Sequence, residues 1–148
     1  MRYAHTILVT VFMQEGESLE PAKAGMKSML PLDFGKEKIS ISEEKCKGFE
    51  EKQILVARLL LSKESHTSLF LKELSGRLNE EQKYTLTHQR NRLDEDMNYY
   101  IRLDKPQFLQ GNYVLTDEGN CIHIKIHVAA FPKNKDAAGK VVENIFKP

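Results

Sequence analysis

With 148 residues, 41% of them hydrophobic, the chain is long enough to bury a core without disulfides or a structural metal. Its 22 lysines and arginines stand against 21 aspartates and glutamates, which counts against strong non-specific binding along a duplex backbone and leaves room for a local basic face. No apolar run approaches the roughly 20 residues that cross a bilayer, the N-terminus runs straight into a β-branched stretch, and Cys46 and Cys121 lie far apart without Cys-x-x-Cys spacing. The expectation is a cytoplasmic protein with two reduced thiols, no membrane partner and no cofactor.

Residues 5 to 13 are rich in β-branched and aromatic types and end at Gln14-Glu15-Gly16, which predicts a largely buried first strand. Ser18 can cap a helix that carries Pro21 in its first turn. Ala22, Met26, Met29 and Leu30 lie on one side of it, and Pro31 closes it. From Lys38 to Cys46 apolar and polar residues alternate, and residues 53 to 62 are apolar nearly throughout. The charged link 43 to 52, which contains Gly48, makes these two an antiparallel hairpin. Arg58, inside the apolar run, calls for an ion partner or an edge position.

Two helices follow. The first places Leu69, Phe70, Leu74 and Leu78 behind Ser65 as cap, with Gly76 near its end. The second opens at Asn79 with Glu80 and Glu81 in its first turn. After Asp94-Glu95-Asp96, residues 97 to 105 alternate with period two. Tyr99, Ile101 and Leu103 share one face, and Tyr100, Arg102 and Asp104 the other. In residues 121 to 131, Ile122, Ile124, Ile126 and Val128 point inward and His123, Lys125 and His127 outward. Between them lie a half-turn at 106 to 111, a short strand at 112 to 116 and the hairpin signal Asp117-Glu118-Gly119-Asn120. A last helix buries Ala138, Val141, Val142 and Ile145. The order predicts a single α+β domain over 1–148, an antiparallel β-sheet with helices packed on one face.

If the last two long strands are neighbours, Arg102 and Lys125 stand beside Tyr100, His123 and His127. That face would offer cations for phosphates and rings for unstacked bases. Lys105, Lys133 and Lys135 at the strand ends extend the patch, and Asp104 and Asp136 partly cancel it. A polar outer face is also what alternation alone produces on a half-buried sheet. His123 and His127 on a strand are separated by roughly 13 Å, too far to share one metal ion. Asp94-Glu95-Asp96 supplies three carboxylates that point in different directions from a turn, which predicts a solvated acidic turn, not a magnesium site. No Ser/His/Asp order and no glycine-rich phosphate loop is legible, so the residues predict no catalytic function.

A family likeness is carried by Arg92-Leu93-Asp94-Glu95-Asp96-Met97-Asn98-Tyr99-Tyr100-Ile101-Arg102-Leu103-Asp104-Lys105, then Gly111, then Cys121 through Pro132, which close in Ala129-Ala130-Phe131-Pro132. These segments resemble a family of small archaeal proteins described as RNA-binding and as predicted exosome subunits. The resemblance implies a fold similar to the large-subunit ribosomal protein that binds 5S ribosomal RNA, with RNA and RNA-processing proteins as partners and no reaction. Gly48-Phe49 matches a family pair. Glu51, Lys52 and Gln53 depart from the expected Gly-Asn-Pro, as Gln14 to Glu17 depart from an acidic Thr-Glu segment. The alternative is an assembly subunit that pairs through an exposed strand or helix and does not itself bind RNA.

Overall fold

The computed structural model describes residues 2–147, apart from the side chain of Phe49, so the aromatic half of the Gly48-Phe49 pair lies outside the described residues. Five strands, β1 (Ala4–Met13), β2 (Ile41–Lys47), β3 (Gln53–Leu61), β4 (Asn98–Asp104) and β5 (Cys121–Val128), form one sheet in the order β2-β3-β1-β5-β4. Five α-helices accompany them: α1 (Glu20–Ser28), α2 (Glu64–Arg77), α3 (Glu80–His88), α4 (Lys105–Leu109) and α5 (Lys135–Ile145). Neighbouring strands are antiparallel. The β2–β3 register runs from Ile41 opposite Leu59 to Lys47 opposite Gln53. Arg2, at the start of β1, donates to the Ser62 carbonyl just past β3, and the Val128 N–H at the end of β5 donates to the Met97 carbonyl just before β4. The α+β fold class with helices on one face of an antiparallel sheet is therefore as expected.

By packing, the chain divides into two compact units, one of residues 1–7, 61–101 and 125–148 and one of 8–60 and 102–124. The boundaries fall inside strands. In the first unit α2, α3 and α5 pack together around the inward residues of the strands. The Tyr99 hydroxyl donates to the Leu86 carbonyl of α3 at 2.6 Å, and its ring lies 6.3 Å from that of Phe146 at the end of α5. Arg90 braces this packing by reaching Glu143 on α5 at 3.2 Å and lying against Gly139, where any Cβ would collide with its guanidinium. In the second unit α1 buries Ala22 and Met26, and its Lys23 reaches Glu43 of β2 at 3.1 Å. Phe108 of α4 fits against Gly25, leaving no room there for a Cβ.

Several local readings change. The expected strand start at Lys38 is occupied by a turn in which Ile39 N–H bonds back to Phe34, so β2 begins at Ile41. β2 also runs on to Lys47, which shortens the link to 48–52; Glu50 and Glu51 take left-handed φ of 59° there. Ser18 accepts from Glu20 N–H without being the N-cap residue, which is Leu19, and Ser65 lies inside α2. Asn79 caps α3 as expected, in a full capping box with Gln82. The half-turn at 106 to 111 is a true helical turn, α4. The Asp104 carboxylate accepts from Gln107 N–H at 3.0 Å, and Gly111 ends it at φ 91°. The expected strand at 112–116 is reduced to a bridge between Leu115 and Leu103.

Candidate nucleic-acid interface

Alternation along β4 and β5 works as the sequence predicts. Tyr99, Ile101, Leu103, Ile122, Ile124, Ile126 and Val128 are buried, while Tyr100, Arg102 and Lys125 are exposed and His123 and His127 half-buried. Each unit carries its own part of this open face.

In the first unit Tyr100 projects from β4 with 39% of its surface exposed, and its hydroxyl donates to Asp94 Oδ2 at 2.9 Å. That bond fixes the ring and leaves its face to solvent. Asp94 also accepts from the N–H groups of Asp96 and Asn98 at 2.9 and 2.8 Å. Desolvation pulls the Asp94 carboxyl upward, but the bonds from Asn98, Tyr100 and Asp96 outweigh it and hold the group below its ordinary range. Desolvation, and then the Asp94 bond, push the Tyr100 phenol up, so it stays a donor at neutral pH. Glu95 pairs with Lys135 at 2.9 Å. The acidic turn is thus spent on building its own loop and on an ion pair, and it removes Lys135 from the cations free to meet a ligand. Lys125 and Lys133, by contrast, form no ion pair among the described residues. The His127 ring tilts against His5 of β1, centroids 5.1 Å apart.

In the second unit Arg102 leaves β4 exposed, and its guanidinium donates to the Asp117 carbonyl at 3.4 Å, with no ion pair among the described residues. The His123 ring packs edge-on against Phe12 of β1 at 5.9 Å, and its Nε2 lies 3.5 Å from the Cys121 sulfur. Burial pushes the Cys121 thiol up, away from reactive thiolate behaviour. Burial, and then the charge of Arg102, pull His123 below its ordinary value. Burial, then His5, Lys133 and Lys125, do the same to His127. Near pH 7 both are neutral rings, and the positive charge comes from Arg102, Lys125 and Lys133. Because one histidine turns to Phe12 and the other to His5, their rings do not converge on a common point.

Lys105 departs from its expected role as an exposed extension of the patch. Only 6% of it is exposed; its ammonium donates to the Phe12 carbonyl at 2.9 Å and lies 3.8 Å from Glu17. A cation so placed satisfies a backbone acceptor and is not presented to a solvent-side anion. Arg58 meets the expectation of a partner, with Glu44 at 2.7 Å across the hairpin. Phe12 and His5 were missed because Leu8 and Phe12 make β1 read as apolar on both faces. The parity of Ile7, Val9, Val11 and Met13, all buried, was the available signal.

The open face thus carries rings together with cations that form no ion pair among the described residues, groups able to meet ligands that offer phosphates and flat bases. The chain belongs to the family described as RNA binding, whose model matches residues 6–128. It is similar to RNA-binding protein PAB1135 of Pyrococcus abyssi (strain GE5 / Orsay), 28% identical over 140 residues that cover 94% of this chain and 91% of that one. Among solved structures it shares its fold with protein AF2318 from Archaeglobus fulgidus, a DUF54 protein, at TM-score 0.83 and 22% identity over 96% of this chain and 99% of the other. Mth689, a DUF54 protein from Methanothermobacter thermautotrophicus, matches at TM-score 0.78 and 23% identity over 98% and 99%. Among the described residues no helix is long and apolar enough to cross a membrane.

Proposed function

We propose that the chain is a non-catalytic, cytoplasmic RNA-binding protein in which residues 1–148 act as one domain. Membership of the RNA-binding family supports the ligand class. The observation that carries the reading is on β4 and β5: the Tyr100 ring, held by Asp94, stands two residues from Arg102, and Lys125 projects from β5 with no ion partner among the described residues. Arg102, Lys125 and Lys133 would take phosphates; Tyr100 and the neutral rings of His123 and His127 would meet bases. Lys105 has no part in this contact, since its ammonium is committed to Phe12. The family resemblance supports a role as an accessory of RNA processing or degradation by the archaeal exosome, on a scaffold like that of the 5S-RNA-binding ribosomal protein.

The competing reading, an assembly subunit that does not touch RNA, needs an exposed strand or helix to pair through. Of the two edge strands, β2 carries Glu43, Glu44, Lys45 and Lys47, charges that discourage strand addition, and β4 is bridged at Leu103 by Leu115. The test is a titration of short labelled RNAs between about 50 and 200 mM salt. Affinity falling steeply with salt, with the RNA left intact in magnesium, is the expected result. Absence of binding at low salt would favour the assembly reading, and magnesium-dependent cleavage would overturn the non-catalytic one.

A further inference from the structure

Phe131 is 99% exposed, although removing a side chain of this size from water is favourable. It does not sit on a loose tip. On one side the Ala129 N–H donates to the Tyr3 carbonyl at 2.8 Å, and on the other Asn134 N–H donates to the Pro132 carbonyl at 2.9 Å. Asn134 then caps α5 through Ala137 N–H at 2.8 Å. The ring is therefore offered to solvent by an anchored connection between β5 and α5. It borders an open cleft of about 570 Å³, whose wall includes Arg2, Pro132, Lys140 and Asn144, within the roughly 300–1,000 Å³ range of small-ligand sites. Lys133 follows in the chain, and neither it nor Lys140 forms an ion pair among the described residues. Asp136 is the acidic group of the cleft, set against Lys140 and against Arg2, whose guanidinium is held by the Ala4, His5 and Ser62 carbonyls.

We infer that this cleft is a binding site for one unpaired nucleobase of single-stranded RNA, stacked on the face of Phe131 with its flanking phosphates drawn to Lys133 and Lys140. The inference rests on the RNA-binding reading and narrows it, because a base inside a duplex has no free face to give to an isolated ring. An exposed aromatic ring beside unneutralised cations is the combination that holds single strands with little sequence preference. A purely apolar partner would leave Lys133 and Lys140 without a counter-charge, so charge complementarity favours the nucleic acid over a protein surface.

The chain contains no tryptophan, so Phe131→Trp places a single reporter in the cleft. The expected result is quenching of its emission by a single-stranded oligonucleotide, at the concentrations where anisotropy reports binding, and much weaker quenching by a blunt duplex of the same length. Phe131→Ala should keep its unfolding midpoint and lose about tenfold in single-strand affinity. Anisotropy showing RNA binding while the tryptophan emission stays unchanged and Phe131→Ala binds like the wild type would overturn the cleft and leave the RNA-binding reading standing. No RNA binding by the wild type would remove both. Emission that changes with protein concentration alone would assign the ring to contacts between copies and overturn the inference.

Discussion

The two faces of β4 and β5 are built from alternate residues of the same strands and differ in how far their residues determine their role. On the covered face, Tyr99, Ile101, Leu103, Ile122, Ile124 and Ile126 are buried, and each position is fixed by packing. On the open face any soluble residues would satisfy the fold. What stands there instead is a tethered Tyr100, an Arg102 that donates to a carbonyl, and a Lys125 that, among the described residues, forms no ion pair. Folding does not require cations to be left without counter-charges, and that surplus is what makes the face a candidate for recognition.

The contrast is sharpest at the adjacent tyrosines. Tyr99→Ala removes a buried ring and leaves the Leu86 carbonyl without its donor, and should cost about 3–5 kcal/mol in chemical unfolding. Tyr100→Ala should cost under about 1 kcal/mol and act mainly on RNA affinity. Equal destabilisation by both would break the distinction between the faces. The lysines give the next effect. Lys105→Met should destabilise by about 1–3 kcal/mol, because the Phe12 carbonyl loses its partner, while leaving affinity for RNA in the folded protein unchanged. Lys125→Met should do the reverse.

The smallest effect is the pH dependence. His123 and His127 are held below their ordinary value when folded, whereas in the unfolded chain they protonate near about pH 6.5. Below that pH the unfolded state binds more protons, so their contribution to stability is complete above about pH 6.5 and declines as pH falls toward the lower folded-state values. Urea midpoints at several pH values should fall less on acidification for His123→Gln/His127→Gln than for the wild type.

Much of this was legible in the residues. Period-two alternation placed the side chains of residues 99–104 and 122–128 on their faces, though not the buried Cys121, and Asn79 with two following glutamates marked the start of α3. The missed features depend on contacts distant in sequence or on very short elements. Nothing near Lys105 reveals that a carbonyl 93 residues away will take its ammonium. α4 is five residues long, too short for an apolar period, and only the Asp104 cap and Pro106 distinguish it from a turn. The parity that turns His123, Lys125 and His127 outward also turns Phe131 outward, but alternation does not reveal that the ring would stand almost fully exposed beside a cleft.

The most direct test of the open face is RNA binding by Arg102→Glu/Lys125→Glu beside the wild type, each first shown to unfold at the same denaturant concentration. If these side chains meet phosphates, the double variant loses most of its affinity, and the single neutral variants each lower the salt slope by about one. Affinity and slope unchanged by the charge reversal would contradict the assignment of this face.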